Sequence, residues 1–185
     1  MRKEVIVVSI IAIALLASIP LLTGYAIFNP TADYGDIVKI SYTEYATQSG
    51  VTYLIKTTNE TLAKQSNLTV LPPQYRFLSK NASSLIMDKK IDEAIIGMKV
   101  GETREISLKP EEAYGVWNKS LVMNVNKSLI NGEPKIGQFV DFNGYVGVIR
   151  YVNENDTNVY IDFNNPLVDK YITVKITLEG IWKKI

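Results

Sequence analysis

A chain of 185 residues that contains neither histidine nor cysteine has a short list of groups able to do chemistry. Without histidine it lacks the usual proton shuttle and the commonest metal ligand. Without cysteine it has no thiol nucleophile, no thiolate metal site and no disulfide. Glu111 and Glu112 are the nearest approach to an acid–base pair, but adjacent carboxylates rarely converge on one bond, and a solvated helical turn explains them better. No Asp/Glu spacing resembles a calcium loop, so neither a metal nor a cofactor is expected. The residue that stands out is Tyr114, in Ala113-Tyr114-Gly115 at the end of the run IIGMKVGETREISLKPEEAYG, Ile95 to Gly115. An aromatic hydroxyl there suits a site that acts by solvation and hydrogen bonding rather than by covalent attack.

The elements that must position it can be read from periodicity. Ile37–Thr43 and Val51–Ile55 read as a hairpin across Gln48-Ser49-Gly50, and Gln74–Leu78 as another short strand. Thr58 looks like the N-cap of a short helix over 59–64. The best helix carries Ile91, Ala94, Ile95 and Met98 at three- and four-residue spacing, with Asp88 as candidate N-cap and Gly97 at the left-handed C′ position. Arg104–Leu108 alternates as a half-buried strand, and Pro110 can open a single turn because its missing N–H is not needed there. From Asn118 the character changes. A polar stretch to Pro134 precedes three strand-like runs, 137–142, 145–152 and 159–163, the first two joined at Asn143-Gly144. Tyr171–Ile181 is a last long strand. The pattern is α+β, mostly antiparallel, with a small β-rich insertion before the final strand.

The N-terminal segment is of another kind. Arg2 and Lys3 precede Val5–Phe28, 24 residues without a charge. As a helix this run would be about 36 Å long, enough for a hydrocarbon core of roughly 30 Å. An uncleaved signal anchor over 1–29 is the favoured reading and a cleaved signal peptide its competitor; the basic flank would stay in the cytoplasm and the rest face outward. Sequons at Asn59, Asn67, Asn81, Asn118, Asn126 and Asn155 exceed the roughly two expected by chance and agree with that side of a membrane. Either N-glycans or an incidental abundance of Asn and Thr accounts for them. Twenty basic against 19 acidic residues, with no basic cluster, argues against nucleic acid as a partner.

With the elements in this order, four strings carry a resemblance: VKISYTEY from Val38, IKTTNETLAK from Ile55, IDEAIIGMKVGETREISLKPEEAYG from Ile91, and NPLVDKYITVKITLEGI from Asn165. Together they resemble the FKBP-type peptidyl-prolyl isomerases, most closely the SlyD-like branch, from Asp33 to the C-terminus. The resemblance implies an FKBP-like half-barrel sheet wrapped on a short helix (33–117 plus 166–185). It also implies an insert-in-flap domain with a chaperone-like site (118–165), beside the N-terminal transmembrane segment.

It further implies a proline slot, with Tyr42, Tyr114 and Ile86 as catalytic residues and Ile55, Tyr75, Leu85, Ile91 and Val174 as substrate walls. Tyr114 would donate its hydroxyl to a substrate carbonyl. Taken alone, Tyr42 reads as a half-buried structural tyrosine and Ile55, Leu85, Ile91 and Val174 as core. Three departures stand out. Lys56 replaces a usual acid, Met87-Asp88-Lys89-Lys90 replaces a shorter turn before the helix, and Val174 is smaller than the usual Phe and would widen the slot. The expected function is a membrane-anchored, extracytoplasmic prolyl isomerase and folding chaperone whose partners are proline-containing unfolded polypeptides. Its rivals are an isomerase-inactive holdase of the same fold and a structural cell-surface β domain.

Overall fold

The computed structural model describes residues 30–80, 85–152 and 157–183. The expected membrane segment, and the sequons at Asn81 and Asn155, lie outside them. Among the described residues no helix is long and apolar enough to cross a membrane.

Among the described residues, nine strands and two α-helices follow one another. They are β1 (Ile37–Gln48), β2 (Val51–Thr57), α1 (Glu60–Gln65), β3 (Gln74–Phe77), α2 (Ile86–Ile95), β4 (Thr103–Leu108), β5 (Val122–Asn126), β6 (Phe139–Phe142), β7 (Tyr145–Val152), β8 (Asn158–Asp162) and β9 (Tyr171–Trp182). The larger sheet runs β2-β1-β9-β4, with β3 also paired to β1, and every pairing is antiparallel. Register places Ile40 opposite Leu178, Tyr42 opposite Ile176 and Glu44 opposite Val174, so one face of β1 and β9 points at α2. That face, with Ile91 and Ile95 of α2, Leu78, Met98 and Leu108, is the main core. Alternation on both strands and the three–four spacing on the helix produce it directly.

Helix α2 is clamped at both ends. Arg76 of β3 donates to Asp92 at 2.7 Å and to Asp88 at 3.2 Å. Arg104 of β4 donates to the carbonyls of Ala94 and Ile96 at 2.8 and 3.0 Å, supplying donors to the electronegative helix end. Gly97, with φ +79°, makes the left-handed exit expected of it. Two cap assignments need correction. The helix starts at Ile86 with Leu85 as N-cap, because the Asp88 carboxylate is taken up by Arg76 instead of capping. Met87–Lys90 is thus helix, not turn. The short helix is capped by Asn59, whose side chain accepts from the Leu62 N–H, and not by Thr58, which bonds back to Tyr42.

A second antiparallel sheet, β5-β8-β7-β6, has its own core of Val125, Val140, Ile149, Val159 and Ile161. Strand β5 falls in the stretch read as merely polar; only Val125 on it is buried, so its period-2 signal is weak. Asn143 and Gly144, with φ 55° and 83°, form the expected tight hairpin turn. Gly147 is required by close approach, since a Cβ there would lie 2.5 Å from Ile161 Cγ2 and 2.8 Å from the Phe163 ring. The chain leaves and re-enters the larger sheet at one place. The Trp117 N–H donates to the Asp169 carboxylate, the Asp169 N–H to the Gly115 carbonyl, and the Asn118 N–H to the Asn164 side chain.

Candidate active site

The middle of β1, the end of β2, β3, the first turns of α2 and the segment after Pro110 enclose a cleft of about 570 Å³. Its lining includes Tyr42, Leu85, Ile86, Met87, Ile91 and Tyr114 on the apolar side. The polar side carries Glu44, Lys56, Gln74, Arg76, Asp88 and Glu111. Five of the eight residues expected from the sequence therefore meet in one concavity: Tyr42, Leu85, Ile86, Ile91 and Tyr114.

The other three do not line it. Val174, beside Glu44 on the neighbouring strand, is fully buried and does not line the cleft, so its size does not set the width of the slot. Tyr75 is 66% exposed and packs against the Trp182 ring, centroids 5.7 Å apart, because strand alternation turns its neighbours Gln74 and Arg76 to the cleft instead. Ile55 falls at a register shift in the β1–β2 ladder, where Glu44 pairs with Lys56 and Tyr45 with Leu54. It packs on the main core, and Lys56 reaches the cleft.

The polar side is a connected set of bonds. Lys56 Nζ donates to the Tyr114 hydroxyl at 2.5 Å, and that hydroxyl donates to Glu44 Oε2 at 2.9 Å. The ammonium lies 3.5 Å from the same carboxylate oxygen and 5.0 Å from the Tyr114 ring centroid. Gln74 donates to the Tyr42 hydroxyl at 3.3 Å. Burial, reinforced by the Glu44 charge, raises the Tyr42 phenol above its ordinary value, with Lys56 pulling the other way. Burial likewise raises Tyr114; the Lys56 hydrogen bond opposes this and Glu44 adds to it. For Lys56 burial alone would lower the ammonium, but the bond to Tyr114 and the Glu44 charge outweigh it and raise the group. Both phenols stay neutral and the lysine charged at physiological pH.

Glu44 is the residue that the sequence reading overlooked. Its signal was its place two residues after Tyr42 on one strand face, which period-2 alternation puts beside the Tyr42 side chain. Glu111 stands exposed on the rim, whereas Glu112 accepts from the Lys109 N–H and pairs with Lys90 at 3.4 Å, outside the cleft. The Lys109 bond, with burial opposing and Lys90 assisting, holds Glu112 below the usual carboxylate range. The two carboxylates thus point to different tasks. Among the described residues no cluster of His, Cys, Asp or Glu could hold a metal ion.

The sequence profile of the FKBP-type peptidyl-prolyl cis-trans isomerases matches residues 29–131, more than half of the chain. A short-type peptidyl-prolyl cis-trans isomerase of Methanocaldococcus jannaschii is 26% identical over 150 residues, which cover 80% of this chain and 92% of that protein. A 16 kDa FKBP-type isomerase of Escherichia coli K12 is 29% identical over 93 residues, and SlyD of Pasteurella multocida 35% over 105. These matches span 61% and 52% of the two bacterial proteins, and just under half of this chain. The profile match covers β1 to β5, and with them every residue that lines the cleft, so the chain is placed: it belongs to the FKBP-type peptidyl-prolyl cis-trans isomerase family.

Proposed function

We propose that the chain is a membrane-anchored, extracytoplasmic prolyl isomerase whose second sheet holds unfolded client segments. The observation that carries the catalytic half is the convergence of Tyr42, Ile86, Ile91 and Tyr114 on one cleft. Rotation of an X–Pro bond meets a barrier of about 18–20 kcal/mol because resonance keeps the amide planar. In the twisted state resonance is lost and the bond is less polar, so an apolar wall favours it over the hydrated planar form. The N–H of Ile86, in the first turn of α2, has no intrahelical acceptor and can hold a substrate carbonyl. No step moves a proton, and that suits a chain without histidine.

The chaperone half is supported by an apolar groove of about 290 Å³ on the second sheet, lined by Leu121, Met123, Phe142, Tyr145 and Phe163. Leu121, Met123 and Tyr145 are largely exposed, and a flexible thioether adapts to varied apolar chains. This is what an insert-in-flap client site requires. The uncharged run Val5–Phe28 supports the anchor. Asn59, Asn67, Asn118 and Asn126 are all exposed, as N-glycan acceptors must be.

A holdase without isomerase activity is the second reading, favoured by the polar wall that Lys56, Glu44 and Arg76 build into the cleft. A protease-coupled assay on a proline tetrapeptide, with the full chain in detergent, decides between them. Acceleration well above the thermal rate is expected, together with suppressed aggregation of a denatured client. Suppression without acceleration leaves the holdase, and neither response leaves a structural domain. Flotation of the reconstituted chain with lipid vesicles checks the anchor independently.

A further inference from the structure

The proline slot has a polar wall whose charged donors, with the Tyr114 hydroxyl, can be accounted for one at a time. The Tyr114 hydroxyl has a single hydrogen, and it is committed to Glu44 at 2.9 Å. Glu44 is almost fully buried, its side chain 6% exposed, so withdrawing that hydrogen would leave a desolvated carboxylate with fewer partners. The Arg76 guanidinium is spent on Asp92, Asp88 and the Asp88 carbonyl. An ammonium carries three N–H groups. One of those on Lys56 meets the Tyr114 oxygen, a second faces Glu44, and the side chain is 40% exposed at the mouth of the cleft. At least one charged N–H therefore points to no acceptor among the described residues.

We infer that Lys56, held by Glu44 and Tyr114, is the charged side chain that donates to the substrate, alongside the Ile86 N–H, and that the carbonyl it holds is that of the proline residue itself. The choice of carbonyl follows from the chemistry. A hydrogen bond to the oxygen of the rotating amide strengthens resonance and favours the planar ground state. A bond to the next carbonyl along fixes the proline while the preceding bond turns, and has no such penalty. Being charged, the donor is stronger than a phenol, and its raised proton affinity keeps it in place across neutral pH. Lysine thus does not impair the site by replacing an acid. Glu44, directly opposite in register, supplies the carboxylate from the neighbouring strand.

The inference rests on the isomerase reading of the same cleft, and the experiment separates the two. Values of kcat/KM are compared for wild type, Lys56→Met, Lys56→Arg and Glu44→Gln/Lys56→Met, each full-length in detergent. Two substrates are used: a proline tetrapeptide and its analogue with a thioamide in place of the proline carbonyl, a weaker acceptor. Lys56→Met is expected to lose about tenfold on the normal peptide and less than threefold on the thioamide, and Lys56→Arg to recover most of the loss. The double variant, which leaves no unpaired carboxylate, is expected to stay as slow as Lys56→Met. Wild-type rates in Lys56→Met, recovery in the double variant, or an equal loss on both substrates would overturn the inference while the isomerase reading stood. An inactive wild type would overturn both.

Discussion

At the scale of single residues, the molecule resolves a chain with few reactive groups into two compensated charge clusters around one cleft. Lys56 with Glu44 and Tyr114 is the first, and Arg76 with Asp88 and Asp92 the second. The second is the more structural, because Arg76 and Asp92 have side chains only 16% and 7% exposed. Breaking such a pair leaves a buried charge without its counter-ion, which costs about 3–5 kcal/mol. Arg76→Leu is therefore expected to lower the urea-unfolding free energy by about 3 kcal/mol, aggravated by the two carboxylates left facing each other. Asp88→Asn, at a position 37% exposed, should cost under about 1 kcal/mol in the same measurement. Similar losses in the two variants would mean that Asp92 is not held mainly by Arg76.

Among the elements, the junction between the two sheets is where a pH dependence is expected. Asp162, at the end of β8, accepts from the Trp117 indole at 3.3 Å, from Arg150 at 3.2 Å, and from the Asn164 amide and N–H at 2.7 and 2.9 Å. Burial alone would raise this carboxyl, but the Asn164, Trp117 and Arg150 bonds outweigh it and hold the group below its ordinary 3.8. A carboxylate with a lowered value in the folded state contributes stability that is present above 3.8 and is lost as pH falls through the lowered value. In a Trp182→Phe chain, Trp117 fluorescence should hold steady from pH 7 to 5 and shift progressively below 3.8. Asp162→Asn should abolish that acid transition. A shift centred well above 3.8 would assign the transition to other groups.

For the whole molecule, the two sheets have separate cores, and the chain crosses between them where Gly115 and Asp169 are hydrogen-bonded at 3.0 Å. Each sheet therefore buries its own apolar face, and the crossing points are close enough for a short link. Replacing residues 118–165 by two glycines should leave a chain that melts cooperatively and keeps tetrapeptide isomerisation within about fivefold of wild type. The same deletion should remove suppression of client aggregation, since the Leu121–Met123 groove goes with it. A deleted chain that fails to fold would show that the larger sheet depends on the smaller one. Retained suppression would move the client site elsewhere.

How much of this was legible follows from how local each signal is. Helix α2, the hairpin at Asn143-Gly144 and the alternating strands came from periodicity and turn chemistry, properties of ten or fewer consecutive residues. Strand β5 escaped because a single buried residue gives no alternation to read. The strings ending in Ala113-Tyr114-Gly115 indicated the family, and with it Tyr42, Leu85, Ile86, Ile91 and Tyr114 as companions in one site. By itself, then, the sequence determined the α+β antiparallel class, the absence of thiol and imidazole chemistry, and five of the cleft residues. Tertiary structure alone decided the rest. A one-residue register shift sends Ile55 to the core and Lys56 to the cleft, strand pairing sets Val174 beside Glu44 with its side chain in the core, and alternation on β3 turns Tyr75 toward Trp182. Which way a side chain faces depends on its pairing with strands far away in the chain, and no local pattern carries that information.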